Sequence, residues 1–479
     1  MTHSLYINGQ WREGHGDEFT STNPSDGSEL WTARAANPAD VDAAFQAAQE
    51  AFEGWSRTPL KDRMAIIARY KDLAVAAKET MGELIARETG KQLWDALGEG
   101  GALSAKVDIS LTAYEDRTGA LVRETGFGHA TLQHRAHGVM AVLGPYNFPA
   151  HLPNGQILPA LIAGNTVVFK PSEQTPAVGE ALIKLYTEAG FPDGVINMVQ
   201  GARATGAAVL DNPKLDGVLF TGSANTGAFI HKTFGGRPEI VLALEMGGNN
   251  PLIVWDVKDA KAAASIIAQS AFITTGQRCT CARRLIVPDN AKGEVIIEAV
   301  ADFIDLMTLG AWNEEASMGP LVSADIAAHV VKNADALGGK AIRSSSISEK
   351  GASFVTPGFY DVTGIDVPDE EIFGPVLQVT RVADWDAAIT EANNTKFGLA
   401  AGLVSDDAKL WEDFRLRIRA GVVNFNRPTT GAASFLPFGG PGASGNHSPG
   451  AYYAADFCAW PMASQVAEMP EILPMKGLK

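Results

Sequence analysis

Apolar and polar positions change their period several times along the chain, and each change predicts a different kind of element. Leu5-Tyr6-Ile7 and Gln10-Trp11 flank Asn8-Gly9, a dipeptide suited to the tight turn of a short hairpin. Between residues 39 and 118 the apolar positions recur at helical spacing. Asp40 is placed to cap a first helix through Ala43, Ala47 and Ala51, and Leu60 to Ala86 repeats apolar residues at i, i+3 and i+4. From Thr131 to Leu143 the pattern becomes extended chain, carried by Leu132, His134, Val139, Ala141 and Val142.

Strands and helices then alternate. Gly164 to Lys170 reads as a buried strand, Ala177 to Ala189 as a helix, Val195 to Val199 as a second strand, and Gly206 opens another helix. A third strand, Gly217 to Phe220, runs into Thr221-Gly222-Ser223. This βαβαβ rhythm predicts a parallel sheet with right-handed crossovers. A second α/β stretch spans Pro251 to about Trp460, with no repeat and no low-complexity linker between the two.

Length and charge narrow the class. At 479 residues the chain exceeds one compact core, so two or three domains are expected. Its formal net charge of −16 and lack of a long basic tract disfavour nucleic acid and anionic membranes as partners. Cys279, Cys281 and Cys458 form neither a disulfide framework nor a zinc-ligand set. The first residues lack the pattern of a signal peptide, and no apolar run reaches the roughly 18 residues of a membrane helix. A cytoplasmic enzyme that needs no metal is the expectation.

Three segments could carry chemistry. In Thr274-Thr275-Gly276-Gln277-Arg278-Cys279-Thr280, Gly276 permits a tight backbone and Arg278 adjoins the thiol, so Cys279 is a candidate nucleophile of lowered pKa. The alternative is a small buried hydrophobe. Glu245 sits in the apolar run Ile240 to Met246, where an acid is costly to desolvate. It is either a general base with a raised pKa or a structural carboxylate capping Gly247-Gly248. Asn147, between Pro145 and Pro149, is an oxyanion donor or merely completes a turn. Phosphate-binding signals accompany them. Gly222-Ser223-Ala224-Asn225-Thr226-Gly227 joins a strand to a helix N-terminus, and Lys170 and Glu173 follow another strand. An acid at Glu173 favours NAD over NADP.

With these segments assembled, the chain resembles the aldehyde dehydrogenase superfamily. The matching motifs are Pro145 to Pro149, Lys170 to Glu173, Phe220 to Ser223, Glu245 to Gly248, Gly276 to Cys279, Glu371 to Pro375 and Pro437 to Gly440, in the family's order. The resemblance implies an α/β fold of two doubly wound parallel-sheet domains plus a small bridging, oligomerising sheet. The implied division is an NAD-binding domain at 1–122 and 144–250, a catalytic domain at 251–460, and a bridging sheet at 123–143 and 461–479. A homodimer or homotetramer would cover the protruding sheet edge.

The resemblance also implies roles. Cys279 would attack the aldehyde, Asn147 and the Cys279 amide would hold the oxyanion, and hydride would pass to NAD. Glu245 would then activate the water that hydrolyses the thioester. Lys170, Glu173, the turn from Gly222 to Gly227, Glu371 and Phe373 would bind NAD. Departures from common family patterns are Tyr146 for Trp, Thr274 for Asn, and Gly439-Gly440-Pro441 for Gly-Gly-Lys.

Three further stretches, around Cys279, around Glu245 and from Gly439 to Cys458, resemble the branch acting on N-succinylglutamate 5-semialdehyde in arginine breakdown. Such a dianionic substrate calls for cationic donors, and Arg278, Arg427 and His447 are the candidates, Arg427 as a bidentate clamp. Two other readings stay open: NAD(P)-dependent oxidation of another aldehyde, such as succinic or glutamic semialdehyde, and a non-catalytic structural or binding protein on this fold.

Overall fold

The computed structural model describes residues 3–473 and 475–477. Residues 474, 478 and 479 of the expected bridging segment lie outside them, as do the first two residues of the N-terminal segment. Two seven-stranded sheets dominate. In the first, the strands Val241–Met246, Gly217–Gly222, Val139–Leu143, Thr166–Lys170 and Ile196–Met198 run parallel in that spatial order. The hairpin Leu5–Ile7 and Gln10–Arg12 extends that sheet, and Asn8 and Gly9 take φ of 49° and 77° as its turn demands. The second sheet orders Lys340–Arg343, Gly358–Asp361, Val376–Val382, Ala282–Pro288, Asn250–Val254, Ala400–Val404 and Val422–Phe425, parallel except at its first edge. Val139–Leu143, Thr166–Lys170, Asn250–Val254, Ala282–Pro288 and Ala400–Val404 are buried at every position, as strands covered on both faces must be.

Several local expectations are corrected. Asn37, not Asp40, is the N-cap of the first helix, Pro38–Arg57. Pro38 opens the helix, the Asn37 side chain accepts from the Asp40 amide, and Asp40 at N3 accepts from the Asn37 amide in return. The periodic run from Leu60 is two helices, Leu60–Ala76 and Lys78–Thr89, meeting at Ala77. The helix His151–Ala163 has no amphipathic signature because it is buried almost all round.

The extended run Thr131 to Leu143 is divided between two sheets. Gly128–Ala136 lies between Leu121–Thr125 and Ala459–Val466 in a three-stranded antiparallel sheet. Val139–Leu143 instead pairs within the first parallel sheet, so the bridging assignment of 123–143 is too long. Hydrophobicity explains the split: Val-Met-Ala-Val-Leu is buried on both faces, whereas Gly128–Ala136 is half-buried or exposed throughout. Gly138, at φ 150°, makes the break between them.

Among the described residues no helix is long and apolar enough to cross a membrane, and no group of His, Cys, Asp and Glu is placed to hold a metal ion.

Candidate active site

Cys279 lies just past the end of the helix Ala260–Phe272. The chain turns there through Thr274, Thr275 and Gly276 at φ of 54°, 54° and 71°, a conformation that β-branched residues rarely adopt. Tertiary contacts hold it. The Thr274 hydroxyl donates to Asp95, the Thr275 hydroxyl donates to the Gly319 carbonyl at 2.9 Å, and a Cβ at Gly276 would lie 2.1 Å from the Gly374 carbonyl oxygen. Arg283, fully buried, donates to the carbonyls of Gly276 at 2.7 Å, Gly374 at 3.0 Å and Arg278 at 3.2 Å. Asn250 Nδ2 donates to the carbonyls of Cys279 and Cys281 at 2.7 and 2.8 Å. The thiol thus rides on a backbone fixed from two sides.

Asn147 comes from the loop after Val139–Leu143. It is buried, and its Nδ2 donates to the Gln277 carbonyl at 3.0 Å, two residues before Cys279. Its own carbonyl accepts from Lys91 Nζ at 2.7 Å, and Lys91 pairs with Glu99 at 2.8 Å, both side chains almost wholly buried. Glu99 also accepts from the amides of Ala150 and His151 at 3.0 and 3.1 Å. The Asn147 loop therefore hangs on a buried ion pair, whose breaking by loss of one partner costs about 3–5 kcal/mol. Lys91→Met is expected to lower the melting temperature and to reduce kcat about 10- to 100-fold, with KM changed far less. Wild-type kcat at a temperature where the variant is folded would reject this role.

Electrostatics separate the acids from the thiol. Burial raises the Glu245 carboxyl to about 7, with Lys106 and the Gly450 amide pulling the other way. Burial likewise raises Glu371 to about 7 against the pull of Arg283. The alternative role for Glu245, capping Gly247-Gly248, belongs to Glu371, which accepts from the Gly248 amide. The Cys279 thiol is pushed up rather than down, by burial first and then by Glu371, Glu245 and Cys281. Arg278 does not lower it, because its guanidinium is taken by Asp95 at 2.7 Å and Thr274 Oγ1 at 2.8 Å. The surroundings of Cys279 thus favour the neutral thiol over the thiolate.

Cys279 and Glu245 share one cleft, lined also by Lys106, Phe148, Gln156, Arg278 and Phe438. Its empty volume is about 910 Å³, part of it open to solvent. Arg427 and His447 are exposed and do not line it, so no carboxylate clamp forms there. Arg278 does line it.

The strand order of the first sheet reverses between Val139–Leu143 and Gly217–Gly222. Ligands of open α/β sheets bind in the crevice at such a reversal, and Asn147 and Ser223 follow these two strands. Ser223 caps the helix Ala224–Thr233, accepting from the Thr226 amide, with Asn225 and Thr226 exposed and Gly227 packed on Met246. Lys170 Nζ, at the end of the neighbouring strand, donates to the carbonyls of Pro171 and Gly201 at 2.7 Å each and stands 3.7 Å from Glu173. Glu371 Oε1 has no hydrogen-bond partner of normal geometry, Arg283 standing off at 3.5 Å, and Phe373 meets Tyr146 edge-on at 6.0 Å. An exposed helix N-terminus, an exposed acid and an orphaned carboxylate oxygen are a donor and acceptor set that suits a dinucleotide's phosphates and ribose hydroxyls.

Sequence reasoning passed over Lys91, Asp95, Glu99, Lys106, Asn250 and Arg283. For the first four no local signal existed, since they lie on or beside helices far from the motifs in sequence. The two buried arginines in Ala282–Pro288, an otherwise apolar strand, were a usable signal: a buried guanidinium must find acceptors.

N-succinylglutamate 5-semialdehyde dehydrogenase of Caulobacter sp. (strain K31) is 54% identical over 98% of this chain and 97% of its own. A 1-pyrroline-5-carboxylate dehydrogenase from Thermus with bound NAD superposes with a TM-score of 0.90 at 29% identity, covering 96% of this chain and 92% of its own. An NADP-dependent glyceraldehyde-3-phosphate dehydrogenase from Bacillus halodurans, complexed with NADP, gives 0.89 at 27% identity over 97% and 99%. A model of the aldehyde dehydrogenase family matches residues 11–460, and with it this chain belongs to that family.

Proposed function

We propose that this aldehyde dehydrogenase oxidises N-succinyl-L-glutamate 5-semialdehyde to N-succinyl-L-glutamate, in arginine catabolism by way of succinylated intermediates, with NAD as the preferred acceptor. The observation carrying this reading is one cleft lined jointly by Cys279, Glu245 and two cations, in a chain 54% identical along its length to a relative of that name.

Cys279 is the nucleophile. Its sulfur adds to the aldehyde carbon, and its proton leaves for a base; ionised Glu245 is the acceptor in the cleft. The oxyanion of the thiohemiacetal is held by Asn147 Nδ2 and the Cys279 amide. Bound across the crevice by Lys170, Glu173, the Gly222 to Gly227 turn, Glu371 and Phe373, the dinucleotide supplies the hydride acceptor. Collapse leaves a thioester on Cys279. Glu245, after passing the thiol's proton to solvent, takes a proton from water as the water oxygen adds to the thioester carbon, and the acid departs as that proton returns to the Cys279 sulfur. The exposed Glu173 favours NAD, because a 2′-phosphate would face a carboxylate.

The division into an NAD-binding unit, a catalytic unit and an oligomerising sheet follows the three larger sheets, with Val139–Leu143 in the first. Leu121, Val122, Phe127, Trp460 and Val466 are exposed apolar residues on or beside the three-stranded sheet, which supports a homodimer or homotetramer.

The test is coenzyme reduction at 340 nm with the succinylated aldehyde beside succinic and glutamic semialdehydes. A kcat/KM about 100-fold higher for the succinylated compound is expected, as a site matched to buried polar groups discriminates at least that well. A flat or reversed order discards the substrate and keeps the chemistry.

A further inference from the structure

The cleft holds two cations, and they are not equivalent. Arg278 already has its countercharge in Asp95 at 2.7 Å and a second acceptor in Thr274 Oγ1 at 2.8 Å. Lys106 has neither. It reaches the cleft from the helix Leu93–Thr118, is 3% exposed, and its charge is met only at range by Glu245. Among the described residues Lys106 forms no ion pair and donates no hydrogen bond, which is costly for a buried ammonium. Its stem lies against Gly155 on the facing helix, where a Cβ would come within 3.1 Å of Lys106 Cε and 3.7 Å of Nζ. Gly155 keeps that channel open. Glu245 is a poor permanent partner because burial keeps it largely protonated up to about neutral pH.

We propose that Lys106 is the residue that binds a carboxylate of the aldehyde substrate, seated along Gly155 in the cleft shared with Cys279. The assignment rests on the acidic substrate proposed above, and it names which cation of the cleft recognises it. Lys106 is free to pair while Arg278 serves to hold the Cys279 loop. The need is local, since a protein of net charge −16 does not attract a dianion at long range.

The experiment compares wild type, Lys106→Met and Gly155→Ala, each full length. It measures kcat/KM for the succinylated aldehyde against butanal, and the competitive inhibition of butanal oxidation by glutarate. Lys106→Met is expected to lower the ratio of the two specificity constants about 100-fold and to weaken glutarate at least ten-fold, the loss of a charged partner for a buried anion. Gly155→Ala, which folds a helix more readily than glycine, is expected to shift both in the same direction by several-fold by crowding Lys106. An unchanged ratio and unchanged glutarate inhibition in both variants overturns the assignment. So does an equal loss for both aldehydes with acyl-enzyme accumulating, which would place Lys106 behind Glu245. A wild type without preference for the succinylated aldehyde, but with Lys106-dependent glutarate inhibition, would sink the proposed substrate and leave Lys106 as the anion site of another acidic aldehyde.

Discussion

Replacing Cys279 by alanine is expected to lower aldehyde oxidation by about 10⁴-fold or more, the scale on which loss of a covalent nucleophile is felt. Binding of NAD, followed by fluorescence quenching, is expected to stay within about two-fold, since the proposed dinucleotide contacts come from other loops. Cys279 is held by its backbone, through Arg283 and Asn250, and among the described residues its Sγ makes no hydrogen bond. Loss of both activity and NAD binding would mean that the residue is structural. Cys281 serves as the internal comparison: it is fully buried against the Ile273 carbonyl and does not line the cleft, so Cys281→Ala should not reproduce the loss.

Glu245→Gln is expected to slow deacylation about 10²- to 10³-fold, the usual contribution of a general base. The first turnover should survive better, so rapid mixing would show a burst of NADH followed by a slow steady state. Equal loss in both phases would reject the role. The pH dependence has a definite sign. With its carboxyl raised to about 7, Glu245 is a competent base only as pH climbs through neutrality, so steady-state deacylation should rise across that range and the glutamine variant should lose the rise. Stability moves the other way. A carboxyl that is harder to ionise in the folded than in the unfolded chain favours the fold below about 4.5, and that contribution is lost as pH rises through 7. Glu245→Gln should therefore stabilise the protein at pH 8, by up to the order of 3 kcal/mol, with the gain fading toward pH 4.5. A carboxylate held in an apolar wall costs stability, and that cost would be a measurable trace of the proposed role.

Much of the fold was legible because its signals are local. Asn8-Gly9 announces a turn wherever it stands between strand-forming residues. The apolar runs at 167–169 and 217–220 read as buried strands, and both strands are buried along most of their length. The split between Ala136 and Val139 was less legible: both sides are extended, and a periodicity of two does not say which sheet a strand joins. The first cap was misassigned because Asn37 and Asp40 each suit an N-cap, and the choice falls to Pro38, which places the helix start.

The same division runs through the site. By itself the sequence named the candidate reacting groups, Cys279, Glu245 and Asn147, and the glycine-bearing turns around them, because each stands within a short motif whose residue types suggest its chemistry. Tertiary structure alone decided their condition. Lys91 reaches Asn147 across 56 residues of chain, and Lys106, on the helix Leu93–Thr118, acts at range on Glu245 in a strand of the first sheet. Arg278, adjacent to Cys279 in sequence, spends its charge on Asp95 and does not offset the burial that pushes the thiol up. Desolvation and ion pairing depend on what surrounds a group in space, and neighbours in space are set by the packing of helices onto sheets, which no local pattern encodes.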